Sequence, residues 1–360
     1  DLVEQMIRVA NKEKLKLSQS DATINGWAIE NRLYAEDPYR NFLPSIGRLT
    51  RYRPPEEFES AEYVIRNDTG VFEGGEISMY YDPMIAKLCT WAPTREKAIE
   101  QMREALDGFE VEGIGHNLPF LSAVMDHPRF IKGDITTAFI EEEYPEGFVG
   151  VDLAEEELIR IAASCAAMYR VTEIRRTKIS GRMDNHERRV GDDWIVTLQN
   201  KKYELKILAD HLGSTVQFKQ GAKIRVEGRW TPGDQLAKMH VDETRLTMKV
   251  SKITGGFRIR NRGADLKVLV RSKIQSELAH HMIEKAPPDT SKILMCPMPG
   301  LLVKIDVQVG EEVQEGQALC TVEAMKMENI LRADRKAKVK KVNVKAGDGL
   351  AVDEIIMEFE

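Results

Sequence analysis

No run in this sequence approaches the about eighteen consecutive apolar residues that a membrane-spanning helix needs, which excludes a helical membrane protein. Cysteine is scarce. Cys89, Cys165, Cys296 and Cys320 lie far apart and form no Cys-x-x-Cys pair, so neither a zinc knuckle nor a disulfide framework is indicated and a reducing compartment is the default. Excess positive charge is missing as well: a formal net charge of -6 and a pI near 5.8 argue against a general nucleic-acid binder. The one basic cluster, Arg170, Arg175, Arg176, Lys178, Arg182, Arg188 and Arg189, has no aromatic interleaving and reads as a solvated or partner-facing surface. Gly74-Gly75 and Gly255-Gly256 lack a lysine or Ser/Thr partner and read as turns rather than phosphate-binding loops. There is no initiator methionine. The chain opens at Asp1 inside an amphipathic helical pattern, and we expect a fragment of a longer protein whose targeting signals would lie elsewhere.

What is present is a soluble composition, 42% hydrophobic and 31% charged over 360 residues, enough for two or three domains with their own cores. Residues 1–145 mix short strands and helices: a helix over 1–10, a strand around 23–34, and a helix over 94–110 with a threonine cap, Lys97 and Arg103 on its polar side and Ile99, Met102, Ala105 and Leu106 on the other. Asn67-Asp68-Thr69-Gly70 reads as turn chemistry. Over 153–169, Leu158, Ile161, Ala162, Cys165, Ala166 and Tyr169 recur at helical spacing and predict a long helix with one wide apolar face. Short alternating segments around Trp194, Tyr203, Thr215, Lys223, Leu246, Phe257 and Leu266 follow, which predicts an antiparallel sheet or barrel of about eight strands wrapped on that helix.

Glu284-Lys285-Ala286-Pro287-Pro288-Asp289 has the composition of a semi-rigid linker. Beyond it lies an internal repeat. Val303-Lys304-Ile305-Asp306-Val307-Gln308-Val309-Gly310-Glu311 aligns with Lys340-Lys341-Val342-Asn343-Val344-Lys345-Ala346-Gly347-Asp348, and on the same offset Val313 matches Leu350, Leu319 matches Ile356 and Val322 matches Phe359. Two alternating halves, each too small to bury a core, predict a pseudo-twofold β-sandwich with Lys326 between the halves at an exposed hairpin tip. Read from residues alone, Lys326 is either an ordinary surface lysine or a target for acylation. Met325 and Met327, costly to expose on both sides of it, favour a target.

Glu323-Ala324-Met325-Lys326-Met327, with Cys296-Pro297-Met298-Pro299-Gly300 upstream, resembles the signature of biotin carboxyl carrier domains; lipoyl domains usually place aspartate before the lysine and lack the methionine pair. Three further motifs resemble the C-terminal lobe of biotin carboxylase, an ATP-grasp enzyme. They are Trp27-Ala28-Ile29-Glu30-Asn31-Arg32-Leu33-Tyr34-Ala35-Glu36-Asp37-Pro38, Phe42-Leu43-Pro44-Ser45, and Tyr80-Tyr81-Asp82-Pro83-Met84-Ile85-Ala86-Lys87-Leu88. Spacing alone leaves open a structural ion pair between Arg32 and Glu30, Glu36 or Asp37. The resemblance implies instead that Arg32 stabilises the negative charge developing on the biotin ureido oxygen, with Asp82 orienting it or lining the biotin pocket beside Tyr81. Gly181-Arg182-Met183-Asp184-Asn185-His186-Glu187-Arg188-Arg189 and the strand order before the linker resemble the subunit-interaction (BT) module of propionyl-CoA carboxylases; His186 reads as a surface residue.

The resemblance thus implies a multidomain α+β chain: the end of a biotin carboxylase over 1–147, a helix-plus-antiparallel-β-barrel module over 148–283, a linker over 284–292 and a biotinyl domain over 293–360. It implies biotin on Lys326, with ATP, Mg2+ and bicarbonate at a site completed by upstream residues, and no metal ligands in this chain. The expected partners are a carboxyltransferase β subunit and, transiently, biotin protein ligase, with no nucleic acid and no membrane. The expected place is the bacterial cytoplasm, or the mitochondrial matrix in a eukaryote. The glycine-rich loop, magnesium carboxylates and Gln-Val-Glu-His segment of that enzyme are not in the chain, which as printed is expected to hold biotin without charging it. Alternatives are methylcrotonyl-CoA or acetyl-CoA as the acceptor, a non-catalytic carrier and scaffold, or a lipoyl-type carrier.

Overall fold

The computed structural model describes all residues except Met79, 181–188, 283–289, Ser291, Met325 and Lys326. His186, most of the expected linker, Met325 and Lys326 therefore lie outside the described residues.

The first unit begins with the helix Leu2–Ala10, capped by the Asp1 carboxylate, which accepts from Glu4 N. Its central sheet has the strand order Trp27–Tyr34, Met84–Ala92, Val64–Thr69, Phe58–Glu59, all antiparallel. The helix Arg95–Gly108 covers one face, with Met102, Ala105 and Leu106 in a core shared with Leu33, Ile85, Leu88 and Phe109. Two expectations need correcting. Asn67, Asp68 and Thr69 are not a turn but the end of a strand, where Asn67 pairs with Leu88 and Asp68 with Lys87; cross-strand pairing overrides their turn preference. Arg103 is not on a solvated face either, because it packs against the helix Leu118–Asp126, 2.6 Å from Asp126 and donating to Met125 O.

The helix Glu155–Thr177 is enclosed by a closed eight-stranded antiparallel barrel whose last strand, Ala264–Arg271, pairs back onto the first, Asp193–Leu198. Every residue from 161 to 168 is buried, more than two turns, so the helix is covered on all sides rather than on one wide face. Small side chains make this possible: Ala162, Ala163, Ser164, Ala166 and Ala167 let strands approach a helix that would otherwise be too thick for an eight-stranded barrel. The polar members turn inward, Ser164 donating to Arg160 O and Thr172 to Met168 O. The basic cluster begins within this helix at Arg170, which pairs with Asp192, and in the last turn Arg175 and Arg176 complement the negative end of the helix dipole. One barrel strand, Leu236–Val241, is absent from the sequence reading although Ala237, Met239 and Val241 alternate inward.

First unit and barrel meet through buried polar groups. Asp107, 6% exposed, accepts from Arg262 Nε at 2.8 Å and from Arg262 N at 3.2 Å. Lys249 donates to Leu106 O at 2.9 Å, and burial pulls its ammonium down to about 8. A small cavity between Asp107, His116, Lys249 and Arg260 completes the junction, and burial holds His116 neutral, down to about 3.

The last unit, the expected carrier, is a sandwich of two four-stranded sheets, ordered Ile293–Met295, Ile355–Phe359, Ala337–Val342, Glu312–Val313 and Met327–Arg332, Ala318–Ala324, Gly300–Ile305, Gly349–Leu350. The two orders map onto each other under the repeat. So do the turns: Glu311 accepts from Gln308 N at 2.9 Å and Asp348 from Lys345 N at 2.7 Å, while Gly310 and Gly347 take φ of 90° and 92°. Val313, Leu319, Val322, Leu350 and Ile356 share one core.

Candidate functional site

The strand Ala318–Ala324 runs antiparallel to Met327–Arg332, and the ladder closes on the pair Ala324 and Met327 that flanks Met325 and Lys326. Ala324 is buried, whereas Glu323 and Met327 are exposed. The Pro-Met-Pro-Gly element lies directly beneath. Leu301 pairs with Glu323, and a Cβ on Gly300 would sit 2.5 Å from Glu323 O and 2.8 Å from Val322 Cγ1, so only glycine lets the two strands approach. Met298 is buried; its carbonyl accepts from the Cys296 thiol, and its sulfur lies 3.5 Å from Asn329 Nδ2 on the second strand of the hairpin. The motif residues upstream of Lys326 thus brace the hairpin that bears it.

The three motifs of the first unit converge on one backbone. Ala35, fully buried, donates its N–H to Pro83 O at 2.8 Å and accepts from Ser45 N at 2.8 Å, while Phe42 N donates to Asp37 O at 2.9 Å. Residues separated by nearly fifty positions are thereby stitched around the end of the strand Trp27–Tyr34. On that strand Asn31 and Leu33 point inward, so Glu30 and Arg32 point outward. Arg32 is exposed and donates from Nε to Glu30 Oε1 at 2.8 Å. The Glu30 carboxylate, and after it Tyr34, raise the Arg32 pKa above its ordinary value and keep the guanidinium charged. Lys87 stands directly opposite Arg32 in the ladder, which gives that face two adjacent cations.

Asp82 is engaged elsewhere. Its Oδ1 accepts from Met84 N at 2.9 Å, and its charge adds to burial in raising the Glu36 carboxyl. No hydrogen bond or ion pair joins Asp82 to Arg32 among the described residues, so the orienting partner of Arg32 is Glu30. Tyr81 is exposed beside it.

Sequence reasoning missed Asn117. Buried at 5% exposure, it accepts from Tyr34 N at 2.9 Å and donates from Nδ2 to Arg32 O at 3.1 Å. Gly115, two residues before it, donates to Ser45 Oγ at 2.9 Å. The available signal was the string Gly113-Ile114-Gly115-His116-Asn117-Leu118-Pro119, a tight turn running into a helix start with proline in its first turn. Among the described residues no group of three or more His, Cys, Asp or Glu side chains could hold a metal ion, and no helix is long and apolar enough to cross a membrane.

Residues 30–142 match the biotin carboxylase C-terminal domain, 161–285 the propionyl-coenzyme A carboxylase BT domain and 292–359 the biotin-requiring enzyme family. The chain is 69% identical to a propionyl-CoA carboxylase alpha chain of Ruegeria pomeroyi, over 100% of this chain and 55% of that protein. It is 38% identical to the mitochondrial propionyl-CoA carboxylase alpha chain of Mus musculus, over 100% of this chain and 50% of that one. Identity to a mitochondrial methylcrotonoyl-CoA carboxylase subunit alpha of Dictyostelium discoideum is 27%, over 94% of this chain and 49% of that one. The chain therefore spans about half the length of the curated relatives it matches. By the order of its three domain matches and by identity along its whole length, it belongs to the α-chain family of the biotin-dependent acyl-CoA carboxylases.

Proposed function

We propose that this chain holds biotin on Lys326 and, through Arg32, contributes to the site where that biotin takes up a carboxyl group for transfer to propionyl-CoA, giving methylmalonyl-CoA. The observation that carries the reading is the hairpin itself. Its two strands are fixed by a ladder ending at Ala324 and Met327, the residues that bracket Met325 and Lys326 in the sequence, and by the Gly300–Glu323 approach.

Biotin, when attached, supplies a ureido nitrogen that accepts a carboxyl group at one site and releases it at another. The residues of this chain present the biotin and contribute one group to the site that charges it. Glu323, Ala324 and Met327 present Lys326, with Met325 beside it, to a biotin protein ligase. Arg32, held charged by Glu30, would stabilise negative charge on the ureido oxygen of a bound biotin, which a guanidinium does better than a neutral donor. Tyr81 and Asp82 border the pocket through the loop that Pro83 ties to Ala35. ATP, Mg2+ and bicarbonate act at this same site in the complete protein.

The domain division 1–147, 148–283 and 293–360 fits this division of labour, with 284–292 as the tether. The barrel module docks the carboxyltransferase β subunit in an α–β hetero-oligomer, in a bacterial cytoplasm or a mitochondrial matrix. Propionyl-CoA is favoured as acceptor over methylcrotonyl-CoA by the higher identity to propionyl-CoA carboxylase chains along the entire length. Expression with a biotin protein ligase tests the first step: streptavidin should detect the chain, and the Lys326→Arg variant should be silent. A streptavidin signal that survives in that variant would move the attachment site elsewhere.

A further inference from the structure

We propose that Asn117 is the positioning residue of Arg32: its side-chain amide closes the free edge of the strand Trp27–Tyr34 and so fixes where the guanidinium leaves the sheet. The inference rests on the reading of Arg32 given above and adds a second residue to it.

The strand Trp27–Tyr34 lies at the edge of its sheet, with Met84–Ala92 on one side only. On its open side, alternate residues point their N–H and C=O groups away from the ladder, and Arg32 and Tyr34 are two such residues. A missing neighbour strand would supply one donor and one acceptor there. Asn117 supplies both from one side chain, Nδ2 to Arg32 O at 3.1 Å and Oδ1 from Tyr34 N at 2.9 Å, and its own backbone N–H adds a bond to Tyr34 O at 3.2 Å. Three open-edge groups of the residues flanking Leu33 are thus satisfied by a single residue.

The place matters because the ladder is irregular there. Pairing with Met84–Ala92 shifts register between Leu33 and Tyr34, where Ile85 of the partner strand has no residue opposite it, so the ladder holds the end of Trp27–Tyr34 less regularly. Asn117 spans this shift.

Asn117 is itself anchored. It precedes the helix Leu118–Asp126, whose Leu121 N donates to Asn117 O at 3.0 Å. The turn before it is locked against the same motif region: a Cβ on Gly113 would lie 2.1 Å from Arg48 O, and one on Gly115 would lie 3.2 Å from Asp37 Cβ. An exposed arginine is thereby mounted on a braced backbone. Displacing a charge-stabilising group by about 1 Å lowers a rate by about 100-fold, so the mounting has a measurable consequence.

The test uses the complete α chain, assayed for carboxylation of free biotin and, separately, for the slow bicarbonate-dependent ATP hydrolysis that proceeds without biotin. Asn117→Ala should lower kcat for biotin carboxylation by about 10- to 100-fold. KM for ATP and the biotin-independent hydrolysis should stay within about twofold, because neither involves the ureido oxygen. In an Arg32→Ala background the same change should cost less than about twofold more, since a residue acting through Arg32 has nothing left to position. Asn117→Asp, which keeps the acceptor for Tyr34 N but turns a carboxylate oxygen toward Arg32 O, should lose at least as much as Asn117→Ala, and retained biotin-independent hydrolysis shows that either variant has folded. Amide exchange at Tyr34 should accelerate in Asn117→Ala while that of Leu33 holds.

Full biotin carboxylation by both Asn117 variants would overturn the inference, as would an equal loss in both activities or an undiminished further loss when Arg32 is already absent. A fully active Arg32→Ala chain would overturn the reading of Arg32 itself, and the inference with it; loss in Arg32→Ala alone would spare that reading.

Discussion

In the carrier, Gly310 N donates to Val339 O at 2.8 Å, and the repeat supplies a twin in which Gly347 N donates to Leu302 O at 2.7 Å. In the first unit, the corresponding job at the edge of Trp27–Tyr34 falls to the side chain of Asn117, which reaches across more than eighty positions. One region satisfies its backbone by symmetry and from within. The other satisfies it with single side chains from distant loops, and it leans on the barrel through Asp107, Lys249 and Arg262 as well. Under the proposed function, a carrier that travels between two sites benefits from being self-contained, and a site that holds an arginine still benefits from being braced from several directions.

Removing one brace should separate the two regions most clearly. Asp107→Ala leaves Arg262 and Lys249 without their buried counter-charge and should lower the stability of the first unit and barrel by about 3–5 kcal/mol, with the carrier unfolding where it did before. Urea unfolding followed by tryptophan fluorescence reports the first change, since all tryptophans lie outside the carrier; the isolated unfolding of the carrier can be followed by proteolysis. Equal destabilisation of both would break the comparison.

The reverse experiment is smaller. Gly300→Ala forces a Cβ against Glu323 O and should destabilise the carrier by about 1–3 kcal/mol and slow biotin attachment, while the fluorescence transition stays in place. A carrier that tolerates the change would mean that the strand separation is adjustable.

The smallest effect is a pH slope. Burial lowers the His116 pKa from 6.5 to about 3, so below 6.5 the unfolded chain binds a proton that the folded chain refuses. Its contribution to stability is complete above pH 6.5 and is lost as pH falls toward 3, at about 1.4 kcal/mol for each pH unit. His116→Phe removes this titration, and stability curves taken between pH 6.5 and 5 should differ in slope by about that amount. Parallel curves would contradict a buried neutral imidazole.

What could be read from the sequence follows the same division. The repeat exposed the sandwich because its period-2 alternation and glycine turns recur, and those features are local. Most barrel strands were legible for the same reason. Leu236–Val241 was not, because Ala237 and Met239 carry little strand preference and only their partners make them a strand. The enclosed helix misled in a different way: alanines at 162, 163, 166 and 167 look like a mixture of face and flank, and only the closed barrel reveals that small size on every side was the requirement. Arg103 looked like a solvated helix position until Met125 and Asp126, further along the chain, drew it inward. Asn117 stayed hidden because a side-chain amide acting as a strand leaves no periodic trace. The Asp82 and Arg32 motifs were recognised as neighbours, and they are neighbours through Ala35, but their side chains bond to Met84 and Glu30 respectively.

Under the proposed function, the braced hairpin exists to present Lys326 for biotin. Mass mapping of peptides from the chain expressed with a biotin protein ligase tests it directly. One biotinyl group, on Lys326 alone, is the expected result; an unmodified Lys326, a lipoyl group there, or biotin on another lysine would contradict that role.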